Sequence, residues 1–150
     1  MSGLINSAGS RSGVIGTTEL DYEEGTWTTT CNNGVTLDSG FDLGSYTKTG
    51  RMVTCGGQFK IDSSNSSAVL VFNLPFTSRA NAGENSGLYT CAVRTYSLDL
   101  ASNAVWVIGY IGTNTTSLEF VNIIDNGAST SATATDSAYI MFSITYPTAS

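Results

Sequence analysis

The sequence predicts an all-β protein: an antiparallel β-sandwich of about seven to eight strands, jelly-roll-like, preceded by an extended arm. Three observations point there. Apolar residues recur at every second position in one segment after another, as in strands whose successive side chains face opposite ways. Glycine, asparagine and serine clusters punctuate those segments at short intervals. No segment reads as a helix strong enough to compete.

Taken in order, 1–18 is small and polar, but Leu4, Ile5, Val14 and Ile15 give it two apolar anchors. It is read as an attachment arm lying along a partner, with Leu4, Ile5, Arg11, Val14 and Ile15 as its contacts, and 19–150 as the single β domain. Glu19 to Gly25 collects four carboxylates in six positions and reads as a solvated acidic turn. It lacks the alternating Asp loop of a calcium site. A first strand over Gly25–Cys31 puts Trp27, Thr29 and Cys31 on one face. Asn32-Asn33-Gly34 ends it, because Asn-Gly tolerates the positive φ of a tight turn. Val35 to Leu43 reads as irregular. Gly44 to Asp62 is the clearest hairpin: a strand to Thr49, a break at Gly50, then a longer strand. In the longer strand Val53, Cys55, Phe59 and Ile61 alternate with Met52, Thr54, Gln58 and Lys60.

Ala68 to Leu74 is apolar on both faces and therefore expected in a central position, closed by Pro75, which cannot donate into a ladder. Leu88–Thr95 turns Tyr89, Cys91 and Val93 one way. Asn103–Gly112 is the most hydrophobic segment, with Trp106, Ile108 and Tyr110 sharing a face. After a turn at Thr113–Thr116, Ser117–Ile124 sets Leu118, Phe120 and Ile124 against Glu119, Val121 and Ile123. Asp125–Asp136 reads as a long low-complexity loop, and Ser137–Tyr146 as the last strand, with Ala138, Ile140, Phe142, Ile144 and Tyr146 on one face.

Composition narrows the function. At 150 residues the chain suits one well-filled domain. Its net charge is −6, and the basic residues Arg11, Lys48, Arg51, Lys60, Arg79 and Arg94 are scattered, so no nucleic acid or anionic membrane is expected as partner. Nothing approaches the roughly 18 apolar residues in a row of a membrane span. Met1–Gly16 has no continuous apolar core, so no secretory leader is expected. Cys31, Cys55 and Cys91 lack metal-ligand spacing and read as reduced packing residues.

No histidine is present, which removes the commonest general base and the commonest transition-metal ligand. No catalytic residue, cofactor or metal is expected. Asp99, Glu119 and Asp125 remain, by exclusion, as carboxylates for glycan cleavage, though strand-end solvation explains each more simply. Trp27, Trp106, Tyr89, Tyr110 and Tyr139 could line a sugar groove, but aromatics at strand spacing usually fill a core or a subunit interface. In the polar loops, Arg79, Asn81, Asn85, Asp125 and Asn126 are the candidate ligand contacts.

Four segments carry a resemblance: GVIGTTELDYEEGTWT (13–28), GSYTKTGRMVTCGGQF (44–59), NLPFTS (73–78) and SAYIMFSITYPTA (137–149). Together they resemble a domain of virion proteins from marine and cyanobacterial tailed phages, found at fibre tips or as a small free-standing structural protein. Thr29 stands where that pattern often has proline, and Cys31, Thr49 and Cys55 where it has aliphatic residues. The resemblance implies a homotrimeric virion surface protein, assembled in the host cytoplasm. Two roles follow. One is a capsid decoration or cement protein bound through its arm to the major capsid protein or another virion protein. The other is a receptor-binding tip whose loops touch host surface glycan. The short arm, in place of a long shaft, favours the first.

Overall fold

The computed structural model describes residues 21–65, 68–80 and 88–149, and these contain no helix. Ten strands form one antiparallel sheet: β1 (Tyr22–Thr28), β2 (Thr36–Leu37), β3 (Leu43–Thr49), β4 (Met52–Ser63), β5 (Val71–Asn73), β6 (Tyr89–Tyr96), β7 (Ala104–Ile111), β8 (Ser117–Ile124), β9 (Thr130–Ser131) and β10 (Tyr139–Pro147). Neighbours run β1-β3-β4-β10-β6-β7-β8-β5, with β2 added to β4 and β9 to β8. The all-β expectation holds. The strand count exceeds seven to eight only through β2 and β9, two residues each.

The 44–62 hairpin is as expected. β3 and β4 pair from Ser45↔Gly56 to Thr49↔Met52, and Gly50 takes a φ of 57° at the break. Val53, Cys55, Phe59 and Ile61 are buried, while Met52, Thr54 and Gln58 are exposed. β10 lies against β4 over its whole length and buries Ile140, Phe142, Ile144 and Tyr146. The Asn-Gly turn also forms, with φ of 63° at Asn33 and 76° at Gly34.

The two ends of the strand path meet. Just beyond β1, Asn32 N–H donates to Val71 O (3.1 Å), and Asn73 N–H of β5 donates to Thr30 O (3.0 Å). Trp27 Nε1 and Thr29 Oγ1 both donate to Asn73 O, at 3.0 and 2.7 Å. β5 therefore ends the strand path yet is bonded on both sides, to β8 and to residues 30–32. Its apolar character on both faces follows from that position. The curl brings Phe72 of β5 to 5.4 Å from Phe59 of β4 and 5.2 Å from Phe120 of β8; Phe142 of β10 completes the cluster, 5.4 Å from Phe59. Each such aromatic pair adds about 0.5–1.5 kcal/mol beyond the area it buries.

Three expectations are corrected. The acidic segment is not a turn: β1 begins at Tyr22 and pairs with β3 from Tyr22↔Thr49 onward. Strand alternation splits its carboxylates, so Asp21 meets Lys48 (3.4 Å), Glu23 accepts from Tyr46 Oη (2.7 Å), and Glu24 accepts from Tyr22 Oη (2.6 Å). Val35–Leu43 is not wholly irregular, because β2 adds to β4 there. Nor is 125–136 one loop. Thr130–Ser131 pairs with β8, Val69 bridges Thr133, and Ala132 and Ala134 are buried in the core. The alternation of Ala132 and Ala134 was present, but methyl groups are too small to mark a core face by hydropathy.

All three cysteines are free thiols, as expected. Cys55 lies across from Ile144, and the β10–β6 register places Cys91 on the other side of the same residue. Two strand spacings, about 9.6 Å, then separate their Cα atoms. A disulfide needs roughly 4.4–6.8 Å. Burial pushes the Cys55 thiol up to about 12 and that of Cys91 to about 11.

Candidate functional site

The outer face of the sheet carries a trough of about 1390 Å³ across β1, β3, β4, β10, β6 and β7. Five strand spacings make it about 24 Å across the strands. Single small-molecule pockets are usually about 300–1,000 Å³. The shape suits an elongated ligand.

Its floor comes from strand alternation. Residues opposite the buried rows face outward, and where β1, β3, β4 and β10 line the trough most of them are small or hydroxylated. Two rungs cross these strands, Glu24–Thr47–Thr54–Thr145 and Thr26–Ser45–Gly56–Ser143. Thr54 and Thr145 share a hydrogen bond of 2.8 Å. At Gly56 a Cβ would lie 2.2 Å from the carbonyl oxygen of Phe142, so β4 and β10 approach closely only because no side chain is there.

The opposite wall is apolar. The register between β7 and β8 shifts between Ala104 and Trp106. Such a bulge re-aims side chains, and two consecutive residues, Val105 and Trp106, point away from the core at 60% and 56% exposure. Leu100, from the β6–β7 connection, and Met141 of β10 also line this side. Arg94 of β6 sits across from Met141, with Nη1 3.9 Å from its sulfur. The ion pairs among the described residues engage Lys48 and Lys60, not Arg94. The trough thus joins a hydroxyl shelf to an exposed indole beside a guanidinium that has no carboxylate partner there.

The residues singled out from sequence are placed elsewhere. Leu4, Ile5, Arg11, Val14, Ile15, Asn81 and Asn85 lie outside the described residues. Arg79 is exposed near the start of β8, its N–H bonded to Pro147 O and its neighbour Ser78 to Thr115 O. Asp125 and Asn126 are exposed beyond the other end of β8, about 25 Å away along the strand. These three do not converge, and none lines the trough.

The carboxylates do not converge either. Glu119 and Asp125 are six residues apart along β8 and its extension, about 20 Å. Glycosidase pairs are roughly 5–9.5 Å apart. Glu119 instead accepts from Tyr110 Oη, a bond that pushes the phenol up to about 12. No group of three or more Cys, Asp or Glu side chains placed to hold a metal occurs among the described residues.

Of the aromatics weighed for a sugar groove, only Trp106 lines the trough. Trp27 packs inward at 6.0 Å from Phe59, Tyr89 packs against the core, Tyr110 is tied to Glu119, and Tyr139 meets Phe41 and Tyr96. Of the two expectations for Trp106, core or subunit interface, the core is corrected: the face it shares with Ile108 and Tyr110 looks outward. Arg94, Val105, Leu100 and Met141 were missed, since only the sheet order brings them together.

No known protein family, no curated protein and no solved structure matches the chain.

Proposed function

We propose that the chain is a non-enzymatic virion surface protein that acts by binding, its curled sheet a jelly-roll-like sandwich assembled as a homotrimer. The observation that carries this reading is the outer trough. It is broad, hydroxyl-floored and apolar-walled, a surface for holding a partner. Shell decoration is the first role. The arm reaches into the capsid surface, and a protein that binds only the assembled shell stabilises it according to its saturation. The exposed Trp106 specifically favours the second role, a receptor-binding tip in which trimer avidity strengthens weak single contacts with host glycan.

Quantitative protein analysis of purified virions tests both. Hundreds of copies per particle establish decoration, and a few dozen or fewer establish a fibre. Absence of the protein from washed particles refutes the virion reading.

A further inference from the structure

We propose that the trough is a binding site for an acidic oligosaccharide, with Trp106 as the stacking platform and Arg94 as the anchor for a sugar carboxylate. Pyranose rings are amphipathic: their C–H faces suit an aromatic plane, and their hydroxyl rims suit a row of hydroxyl partners. The trough offers both, side by side. Val105, Trp106 and Leu100 remain exposed on one wall, while Thr26, Ser45, Thr47, Thr54 and Ser143 present hydroxyls across the floor.

Charge selects the acidic class. Arg94 lies in the trough without an ion-pair partner among the described residues, on a chain with net charge −6. A carboxylate supplies the bidentate partner that a guanidinium fits best. Glu24 lines the far end, four strands away, about 19 Å. That polarity orients the ligand, with its charged sugar toward β6 and neutral sugars over the shelf. A second copy of the sheet fits less well, because a hydroxyl floor gives an apolar face little to bury against.

This inference deepens the receptor-binding reading by naming its ligand class, and the two fail separately: copy number is measured on virions, sugar binding on the isolated full-length protein. The probes are tetragalacturonate and sialyllactose, with cellotetraose and lactose as neutral counterparts, titrated by calorimetry and by tryptophan fluorescence. The expected result is binding of at least one acidic probe about tenfold tighter than its neutral counterpart, weakening as salt screens the carboxylate. Trp106→Ala should cost tenfold or more for both classes. Arg94→Gln should abolish the preference, bringing the acidic probe down to the affinity of its neutral counterpart. Both side chains are exposed, so the variants should keep the wild-type circular dichroism. Failure of every probe to bind at millimolar concentration overturns the inference. So does binding that is indifferent to Trp106→Ala, or equal affinity for acidic and neutral sugars. Conversion of an oligomer to a monomer by Trp106→Ala in light scattering also overturns it, by making the wall a subunit contact.

Discussion

Replacing Gly44 by alanine should destabilise the fold far more than one surface methyl group suggests. Gly44 is buried on β3 across from Trp27, and a Cβ built there would lie 2.3 Å from the indole ring. Its φ is outside the left-handed region, so the obstacle is steric, and its nearest atoms belong to the ring. Accommodating the methyl means moving the indole, which packs on Phe59 and donates to Asn73 O, one of the bonds holding the end of β1 to β5. Overpacking typically costs about 1–3 kcal/mol, and a lost buried hydrogen bond about 0.5–1.5 kcal/mol. The sum is about 1.5–4.5 kcal/mol, or a fall in Tm on the order of 10 °C for a domain of this size. Urea denaturation of Gly44→Ala measures it directly. A double-mutant cycle then isolates the cause. In a Trp27→Leu background the ring is absent, and the same glycine change should cost under about 0.5 kcal/mol, giving a coupling of at least about 1 kcal/mol. A Gly44→Ala protein within about 0.5 kcal/mol of wild type would refute the reasoning, as would equal costs in the two backgrounds.

Other predictions follow from the core and the titrating groups. Phe72→Ala should cost about 3–5 kcal/mol by chemical denaturation, because Phe72 joins the rings of β4, β8 and β10. The Lys60 ammonium 2.8 Å from Asp38, helped by the Gly40 N–H, holds the Asp38 carboxyl below its usual value of 3.8. That contribution is fully present above pH 3.8 and is lost as pH falls through the lower folded value, so Asp38→Asn should flatten the acid limb of a Tm–pH curve. At the alkaline end the raised groups act in the opposite sense. Cys55 and Tyr110, each up to about 12, and Cys91, up to about 11, contribute stability that is complete below their ordinary values of 9.0 and 10.0 and is lost as pH rises to those folded values. Thiol titration at pH 8 should therefore label Cys31, the half-buried one, first, and reach Cys55 and Cys91 only on unfolding.

The alternation of β4, β10 and β6 and the turn residues between strands by themselves determined that the chain is a sheet protein, which side chains share a face, and where the tight turns fall. These are local consequences of a period of two and of backbone sterics at Asn33, Gly34 and Gly50, and no distant contact is needed to impose them. Short or weakly apolar pairings were invisible for the same reason. β2 spans two residues, β9 is followed only by the small methyl groups of Ala132 and Ala134, and the start of β1 pairs with β3 while its carboxylates stay exposed, so no apolar row marks it. The candidate site lies furthest from sequence. Periodicity grouped Trp106 with Ile108 and Tyr110 but cannot say whether a face looks inward or outward. That was decided by the closure of β5 against residues 30–32, which turns one face of the sheet into the core, and by the bulge that releases Val105 and Trp106 together. The floor needed the strand order as well. Thr26, Ser45, Gly56 and Ser143 are separated by up to 117 positions in the chain, yet they form one rung because β10 returns to pair with β4. A trough is a property of strand neighbours, and only the tertiary fold chooses those.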